Sequence, residues 1–178
     1  LFDGYWEDIG TIRSFYDANL SLAAPGAPFA LTMADAPIYS RARFLPPSRI
    51  EDATVRNSLV ADGCTVERGA LIEDSIIGLR CRIGRDVVIR RSILMGNDYY
   101  ETPADLEADR TAGRPPLGIG PGTRIEGAIV DKNCRVGAGV EIVNARGVDD
   151  APETEFGMIR DGIVVVPKSV SLPDGWRA

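Results

Sequence analysis

The hydrophobic positions of this chain recur at intervals of six residues, without the 3.6-residue stripe of an amphipathic helix. Residues 83–89 show the unit: an aliphatic residue, a small or polar one, two turn residues, a small or β-branched one, any residue, then an aliphatic one. Similar copies span residues 66–72, 119–125, 136–142 and 166–172. Two intervals between copies, 66 to 83 and 119 to 136, are 17 residues, which is close to three hexapeptides.

This period is typical of one coil of a left-handed parallel β-helix, so the pattern predicts a mainly β fold of that kind. Each hexapeptide would supply a short strand and a corner, and its aliphatic residue would stack on the next coil about 4.8 Å away. One coil cannot bury its own interior, so several must stack. We expect Val66, Ile83, Ile119 and Val136 to form one buried column. The glycine-rich run 118–122 falls on the period and indicates a corner rather than a phosphate loop.

Two polar segments interrupt the repeat and predict loop insertions, residues 97–116 and 144–160. In the first, Thr102-Pro103 can begin a short helix over Ala104 to Ala112. The 36 residues between Ile83 and Ile119 hold either two coils or one coil plus an excursion. Insertions in a solenoid are expected to become loops on one face.

The chain before the repeat predicts a short helix and then a linker. Thr11 can cap a helix that Pro25-Gly26 ends. Its apolar residues share one face and are Ile12, Phe15, Tyr16 and Leu20. We therefore expect a first segment at residues 1–26, an extended proline-rich linker at 27–47 laid on the flank of the helix, and the β-helix at 48–178.

The three cysteines fit the repeat. Cys64, Cys81 and Cys134 each lie two residues before an inward aliphatic residue, so we expect the same buried site in three coils, with Cys64 stacked on Cys81. A redox or metal role is the alternative, but their wide spacing indicates neither a disulfide framework nor a zinc site. Buried cysteine as a small hydrophobe is commoner, and a reducing cytoplasm is the default compartment.

Composition excludes several classes of partner. A net charge of −6 argues against nucleic acid and against anionic membranes as partners. No apolar run approaches the roughly 20 residues of a membrane span, and there is no N-terminal signal pattern. The start at Leu1, within an apparently structured run, suggests a fragment.

Several motifs then point to a family. The run from Gly4 to Thr11 (Gly-Tyr-Trp-Glu-Asp-Ile-Gly-Thr) resembles the end of the catalytic domain in the glucose-1-phosphate adenylyltransferase family. Further matches follow in the family's order, at residues 43–47 (Arg-Phe-Leu-Pro-Pro), 96–100 (Gly-Asn-Asp-Tyr-Tyr), 129–133 (Ile-Val-Asp-Lys-Asn) and 159–166 (Ile-Arg-Asp-Gly-Ile-Val-Val-Val). The Asp-Tyr-Tyr and Asp-Lys-Asn runs are similar to the cyanobacterial and plant branch. The resemblance implies a preceding Rossmann-like nucleotidyltransferase domain, whose tail is residues 1–26, a homo- or hetero-tetramer, and a location in the cytoplasm or a plastid.

The resemblance also implies site residues. Asp8 matches the family's second metal-binding aspartate, and Trp6 and Glu7 match its sugar pocket. Mg²⁺ would need a second carboxylate from the nucleotidyltransferase domain, so we expect the chain alone to hold no metal and to be inactive. Without the family, Trp6 would be interpreted as a core residue and Asp8 as a charge at a helix N-terminus.

An effector site is implied as well. Asp131, Lys132 and Lys168 match family residues that bind a phosphorylated activator, and lysine is a good point charge for phosphate. Both lysines lie at coil corners, 36 residues apart, which is two coils or one coil plus the second insertion. We therefore expect both lysine side chains near one edge of the β-helix. The alternative is that they are two solvated lysines that bind no ligand.

Two other functions stay open. Hexapeptide-repeat acyltransferases share the predicted fold but use a histidine as general base, and this sequence has no histidine. A purely structural solenoid would assemble without binding or catalysis.

Overall fold

The computed structural model describes residues 3–178, and the repeat region forms a three-faced parallel β-helix. Within this part of the chain there are two helices, α1 (Ile12–Ala23) and α2 (Pro103–Thr111). The strands in chain order are β1 (Arg49–Ile50), β2 (Thr54–Arg56), β3 (Leu59–Val60), β4 (Thr65–Val66), β5 (Leu71–Glu73), β6 (Ile76–Ile77), β7 (Arg82–Ile83), β8 (Val88–Arg90), β9 (Ile93–Leu94), β10 (Gly118–Ile119), β11 (Arg124–Glu126), β12 (Ala128–Val130), β13 (Arg135–Val136), β14 (Glu141–Val143), β15 (Met158–Arg160), β16 (Ile163–Val166) and β17 (Ser171–Leu172).

Three sheets form the faces, which we call A, B and C. Face A has the order β1-β4-β7-β10-β13-β17, face B has β2-β5-β8-β11-β14, and face C has β3-β6-β9-β12-β16-β15. Within the described chain, neighbouring strands run parallel apart from the antiparallel pair of β15 and β16. The predicted mainly β coil of hexapeptides is therefore confirmed.

The interior consists of stacked aliphatic columns, as predicted. Val66, Ile83, Ile119 and Val136 pair in direct register along face A and are buried. Ile50 precedes them in the column, but it lies in the first coil and is 47% exposed. Faces B and C add equivalent columns, whose buried members are Ile72, Ile89, Ile125 and Ile142, and Ile77, Leu94, Val130 and Val166.

The last copy of the repeat, residues 166–172, begins on a different face from the other copies. Val166 pairs with Val130 on face C, and Leu172 is the residue that pairs with Val136 on face A. The hexapeptide spacing is the same on every face, so it does not reveal on which face a copy begins. Since β7 pairs directly with β10, the 36-residue interval is one coil plus an excursion.

The two insertions leave the β-helix at different corners, which corrects the expectation of loops on one face. The first runs from β9 on face C to β10 on face A and contains α2, capped by Thr102. The second runs from β14 on face B to β15 on face C. It places Phe156 against Trp176, with ring centroids 5.8 Å apart, where both pack on the core. Each excursion therefore begins wherever its coil was interrupted.

Helix α1 packs on the outside of face C, where an apolar ladder was not predicted. The ladder residues pair in register and are Leu59, Ile76, Ile93, Ile129 and Val165. Tyr16 is buried there, and its hydroxyl donates to the carbonyl of Arg91. Thr11 caps α1 as predicted, and residues 24–48 carry no helix or strand. Neither helix is long and apolar enough to cross a membrane in the described part of the chain.

The cysteines are packing residues of the corners. All three are buried with free thiols, and the register places Cys64 beside Cys81. The thiol of Cys134 donates to the carbonyl of Pro167 (3.2 Å), and burial raises the pKa of this thiol to about 12. The run 118–122 does form a strand end and a corner. A Cβ on Gly120 would lie 2.5 Å from the backbone of Gly137, so coil stacking requires glycine there.

Candidate anion site

Lys132 and Lys168 occupy the same corner position in consecutive coils. Val130 pairs with Val166, and each lysine follows its valine by two residues. The amide of Ser169 also donates to the carbonyl of Lys132 (2.9 Å). The 36-residue separation is therefore one coil plus the second insertion, and the two backbones are about 4.8 Å apart. Both side chains are outside, 44% and 54% exposed.

Asp98 connects the two lysines. Its Oδ1 lies 2.9 Å from Lys132 Nζ and its Oδ2 lies 3.0 Å from Lys168 Nζ. Asn133 fixes the same residue, because its Nδ2 donates to Asp98 Oδ2 (3.0 Å) and its Oδ1 accepts from the Asp98 amide (2.8 Å). Hydrogen bonds from Lys132 and then Lys168 hold the pKa of Asp98 well below its usual range. We call these four residues the lysine corner.

A basic cavity of about 500 Å³ opens beside the lysine corner. It is lined by Arg41, Ala42, Arg43, Leu79, Arg80, Met95, Asn97, Asp98 and Lys132. Four of these side chains are cationic and one is a carboxylate, so the cavity favours anions. Its volume is within the roughly 300–1,000 Å³ of small-molecule sites, and the planar fork of arginine matches phosphate geometry.

The position of Asp98 follows from contacts between the first insertion and the coil corners. Asn97 donates its Nδ2 to the carbonyl of Arg80 (2.9 Å), and the Arg80 guanidinium donates to the carbonyl of Asn97 (3.2 Å). The same guanidinium lies 5.8 Å from the ring centroid of Tyr100, whose hydroxyl donates to the carbonyl of Gly63 (3.0 Å). These contacts hold the start of the insertion on the β-helix and thereby place Asp98 beside the two lysines.

The lysines are also distinctive in composition. Lys132 and Lys168 are the only two lysines in the sequence, which otherwise carries 18 arginines as its cations. Both lysines also pair with the one carboxylate of Asp98, so their positions are connected by a shared contact.

The third predicted effector residue, Asp131, has a different position. Its Oδ1 accepts the backbone amide of Lys132 at 2.6 Å, and Asp131 does not line the basic cavity. It shapes the turn that carries the lysine, so any effect of Asp131 on a ligand would act through Lys132.

The predicted substrate and metal residues lie before α1 and do not contact the lysine corner within the described chain. Trp6 is 74% exposed and is therefore not a core residue of the described chain. Glu7 accepts a hydrogen bond from Tyr5 (3.5 Å), and Asp8 accepts one from the amide of Gly10 (3.1 Å). In residues 3–178 no group of three or more potential ligands surrounds a metal position. Mg²⁺ is usually held by one or two carboxylates together with waters and substrate phosphates, so Asp8 could supply one ligand of such a site.

A second cavity, of about 630 Å³, lies beside α2. Three of its four arginines already have carboxylate partners, in the pairs Arg82–Glu67 (3.5 Å), Arg110–Glu107 (2.7 Å) and Arg114–Asp109. These partners neutralise the cavity locally. It is the weaker candidate for an anion.

Sequence reasoning missed four residues of the site: Arg41, Arg43, Arg80 and Asp98. Arg43 and Asp98 stand in the motifs quoted for the family resemblance, which was the available signal. Arg80 lies one 17-residue coil before Asn97, so the repeat period could have placed it at this corner. Nothing in the period indicates Arg41.

One comparison with known proteins bears on this geometry. A family model described as the GLGC left-handed parallel beta-helix domain matches residues 43–176. The match includes β1 to β17, α2 and the whole lysine corner. It confirms the predicted left-handed coil and extends over about three quarters of the chain.

Proposed function

Because the chain belongs to the family of GLGC left-handed parallel β-helix domains, the C-terminal domains of glucose-1-phosphate adenylyltransferases, we propose that it binds a phosphorylated metabolite that regulates such an enzyme. The enzyme converts ATP and glucose 1-phosphate to ADP-glucose and diphosphate in glycogen or starch biosynthesis. One observation carries the proposal. Two lysines of consecutive coils converge on one carboxylate, beside a cavity with three arginines.

Phosphate suits this arrangement chemically. Asp98 occupies both lysines with two oxygens of one anionic group, at 2.9 and 3.0 Å, and a phosphate can present two oxygens in the same way. The basic cavity would take the remainder of the metabolite, with Arg43 and Arg80 as further partners. A charge-assisted hydrogen bond contributes about 1.5–3 kcal/mol. Since both lysines are about half exposed, we expect the lower part of that range, which is about tenfold in affinity.

The residues before α1 belong to a different part of the proposal. Trp6 and Glu7 would complete the sugar pocket and Asp8 the Mg²⁺ site of the enzyme, jointly with its nucleotidyltransferase domain, which is the principal partner. The sequence contains no glycine-rich nucleotide loop of the form Gly-Gly-x-Gly-x-Arg-Leu. The chain by itself is therefore expected to form no ADP-glucose.

Assembly and location follow the same reasoning. The family is one of oligomeric enzymes, and the proposal is a homo- or hetero-tetramer in the cytoplasm, or in a plastid if the source is a plant. The acyltransferase alternative is disfavoured, because the sequence has no histidine to act as general base.

Isothermal titration calorimetry with 3-phosphoglycerate and with fructose 1,6-bisphosphate tests the proposal. We expect Lys132→Ala and Lys168→Ala each to raise the Kd by about tenfold, because each removes one phosphate contact. Arg146→Ala is the matched control, since it removes an exposed cation of the second insertion. Equal affinities for all four proteins would reduce both lysines to ordinary surface charges.

A further inference from the structure

Asp98 holds the place that a phosphate would need at the lysine corner. We propose that the Asp98 carboxylate is an internal competitor, which a ligand must displace from Lys132 and Lys168, and that Asp98 thereby sets the affinity of the site for anions. This inference rests on the proposed function and adds the residue that controls it.

The geometry makes the two occupancies mutually exclusive. In the described chain, each lysine ammonium makes its one polar contact with Asp98, at 2.9 Å for Lys132 and 3.0 Å for Lys168. A phosphate that bridges both ammonium groups would put two of its oxygens where the two carboxylate oxygens now lie. Only one of them, the Asp98 carboxylate or the ligand, can bind both lysine ammonium groups at a time.

Asp98 is placed so that it can leave without unfolding the corner. Its side chain is 40% exposed, so water can solvate the displaced carboxylate. Its backbone amide is held separately by Asn133 Oδ1 at 2.8 Å. A rotation of the side chain would free both lysines and would break the hydrogen bond from Asn133 Nδ2 to Asp98 Oδ2 (3.0 Å). The start of the insertion would stay bound to the β-helix.

The charges then decide which anions can displace Asp98. Competition from the carboxylate weakens every ligand by the same factor, because only the fraction of molecules with free lysines can bind. A phosphate monoester carries about −1.5 to −2 at pH 7 and gains more from two ammonium groups than a carboxylate does. Asp98 would therefore leave phosphate binding measurable while it lowers the weaker binding of monocarboxylates further.

A purely structural role for Asp98 predicts the opposite change in phosphate affinity when the carboxylate is removed. If the carboxylate mainly gathers the two lysines for the ligand, then its removal lets them separate and weakens binding. Asp98→Asn distinguishes the two, because it removes the charge and retains the shape and an acceptor for the lysines. Asp98→Ala removes both and provides a second variant. The matched control is Asp150→Asn in the second insertion, where Asp150 is 64% exposed and pairs with Arg160 at 3.8 Å.

The experiment is calorimetric titration of the full chain with inorganic phosphate and with acetate, at low ionic strength. We expect Asp98→Asn and Asp98→Ala to bind phosphate about three- to tenfold more tightly than the unaltered chain. Acetate binding should tighten by the same factor, because one competitor is removed for both anions, while Asp150→Asn changes neither affinity. Equal or weaker phosphate binding by both Asp98 variants overturns the inference.

Combining Asp98→Asn with Lys132→Ala separates this inference from the proposed function. Loss of the gained affinity in the double variant places the competition at the lysine corner. If the gain survives without Lys132, phosphate binds elsewhere, and both the inference and the proposed function are wrong. If Lys132→Ala alone weakens binding but Asp98→Asn does not strengthen it, only the inference is wrong.

Discussion

The stacked interior predicts that truncating an isoleucine of the face A column lowers the free energy of unfolding by an amount that depends on which coil the isoleucine occupies. Ile83 lies in an inner coil, has no exposed surface, and sits between Val66 and Ile119. Ile83→Ala removes three carbons, which corresponds to about 2.4 kcal/mol at roughly 0.8 kcal/mol per buried methylene. The coils above and below are held by backbone hydrogen bonds and cannot close the cavity, so we expect a total of about 3–4 kcal/mol.

Ile50 supplies the matched control, because it is the same residue type in the same column but in the first coil and is 47% exposed. Ile50→Ala loses about half of the transfer free energy and leaves no closed cavity, so we expect about 1 kcal/mol. Urea unfolding followed by circular dichroism measures the free energy of unfolding of both variants. The slope of this free energy against urea concentration should stay unchanged if the native fold persists. The stacked-column account would be refuted if Ile83→Ala lowered the free energy of unfolding no more than Ile50→Ala does.

Two further predictions concern the insertion and the thiols. Arg135→Ala removes the ion-pair partner that two nearly buried carboxylates, Glu101 and Asp109, share, and leaves Asp109 only its pair with Arg114. The shared pairs hold α2 over face A. Limited trypsin digestion should therefore cut within residues 103–116 faster than in the unaltered chain, and an unchanged cutting rate would contradict this. Burial raises the pKa of Cys134 to about 12, so the folded state favours the neutral thiol. This preference adds its full contribution to the free energy of unfolding below the unfolded pKa of about 8.5, and the contribution is lost as pH rises towards the folded pKa. The urea midpoint should fall between about pH 8.5 and 10.5, and should fall less in Cys134→Ala; parallel curves for the two proteins would show that this thiol is not responsible.

The coil could be predicted because its cause is local. A six-residue spacing of aliphatic side chains and the preference of glycine for tight corners act within one hexapeptide, so Ile83 and Val136 were placed correctly. Thr102-Pro103 likewise predicted the start of α2 from neighbouring residues alone. The face on which the copy at Val166 begins could not be predicted, because the spacing does not count how many corners an insertion contains.

The remaining features depend on contacts between distant parts of the chain. Asp98 meets lysines that are 34 and 70 residues away, and their meeting depends on each insertion replacing no more than one corner of a coil. The outer ladder of face C has the same cause, since residues such as Ile93 gain their apolar environment from α1, far away in sequence. Family motifs pointed to Lys132 and Lys168, but only the folded coil shows what holds them together.

The central claim, that one phosphate group is held by two lysines of consecutive coils, has a direct test. Reductive methylation with ¹³C-formaldehyde keeps the charge of each ammonium group and gives one NMR signal for each of the two lysines, beside that of the terminal amine. On titration with 3-phosphoglycerate, the signals of Lys132 and Lys168 should shift together with a single Kd, while the terminal amine stays unchanged as the internal reference. If only one lysine signal moves, or if the two move with different Kd values, one phosphate is not shared between them and the claim is wrong.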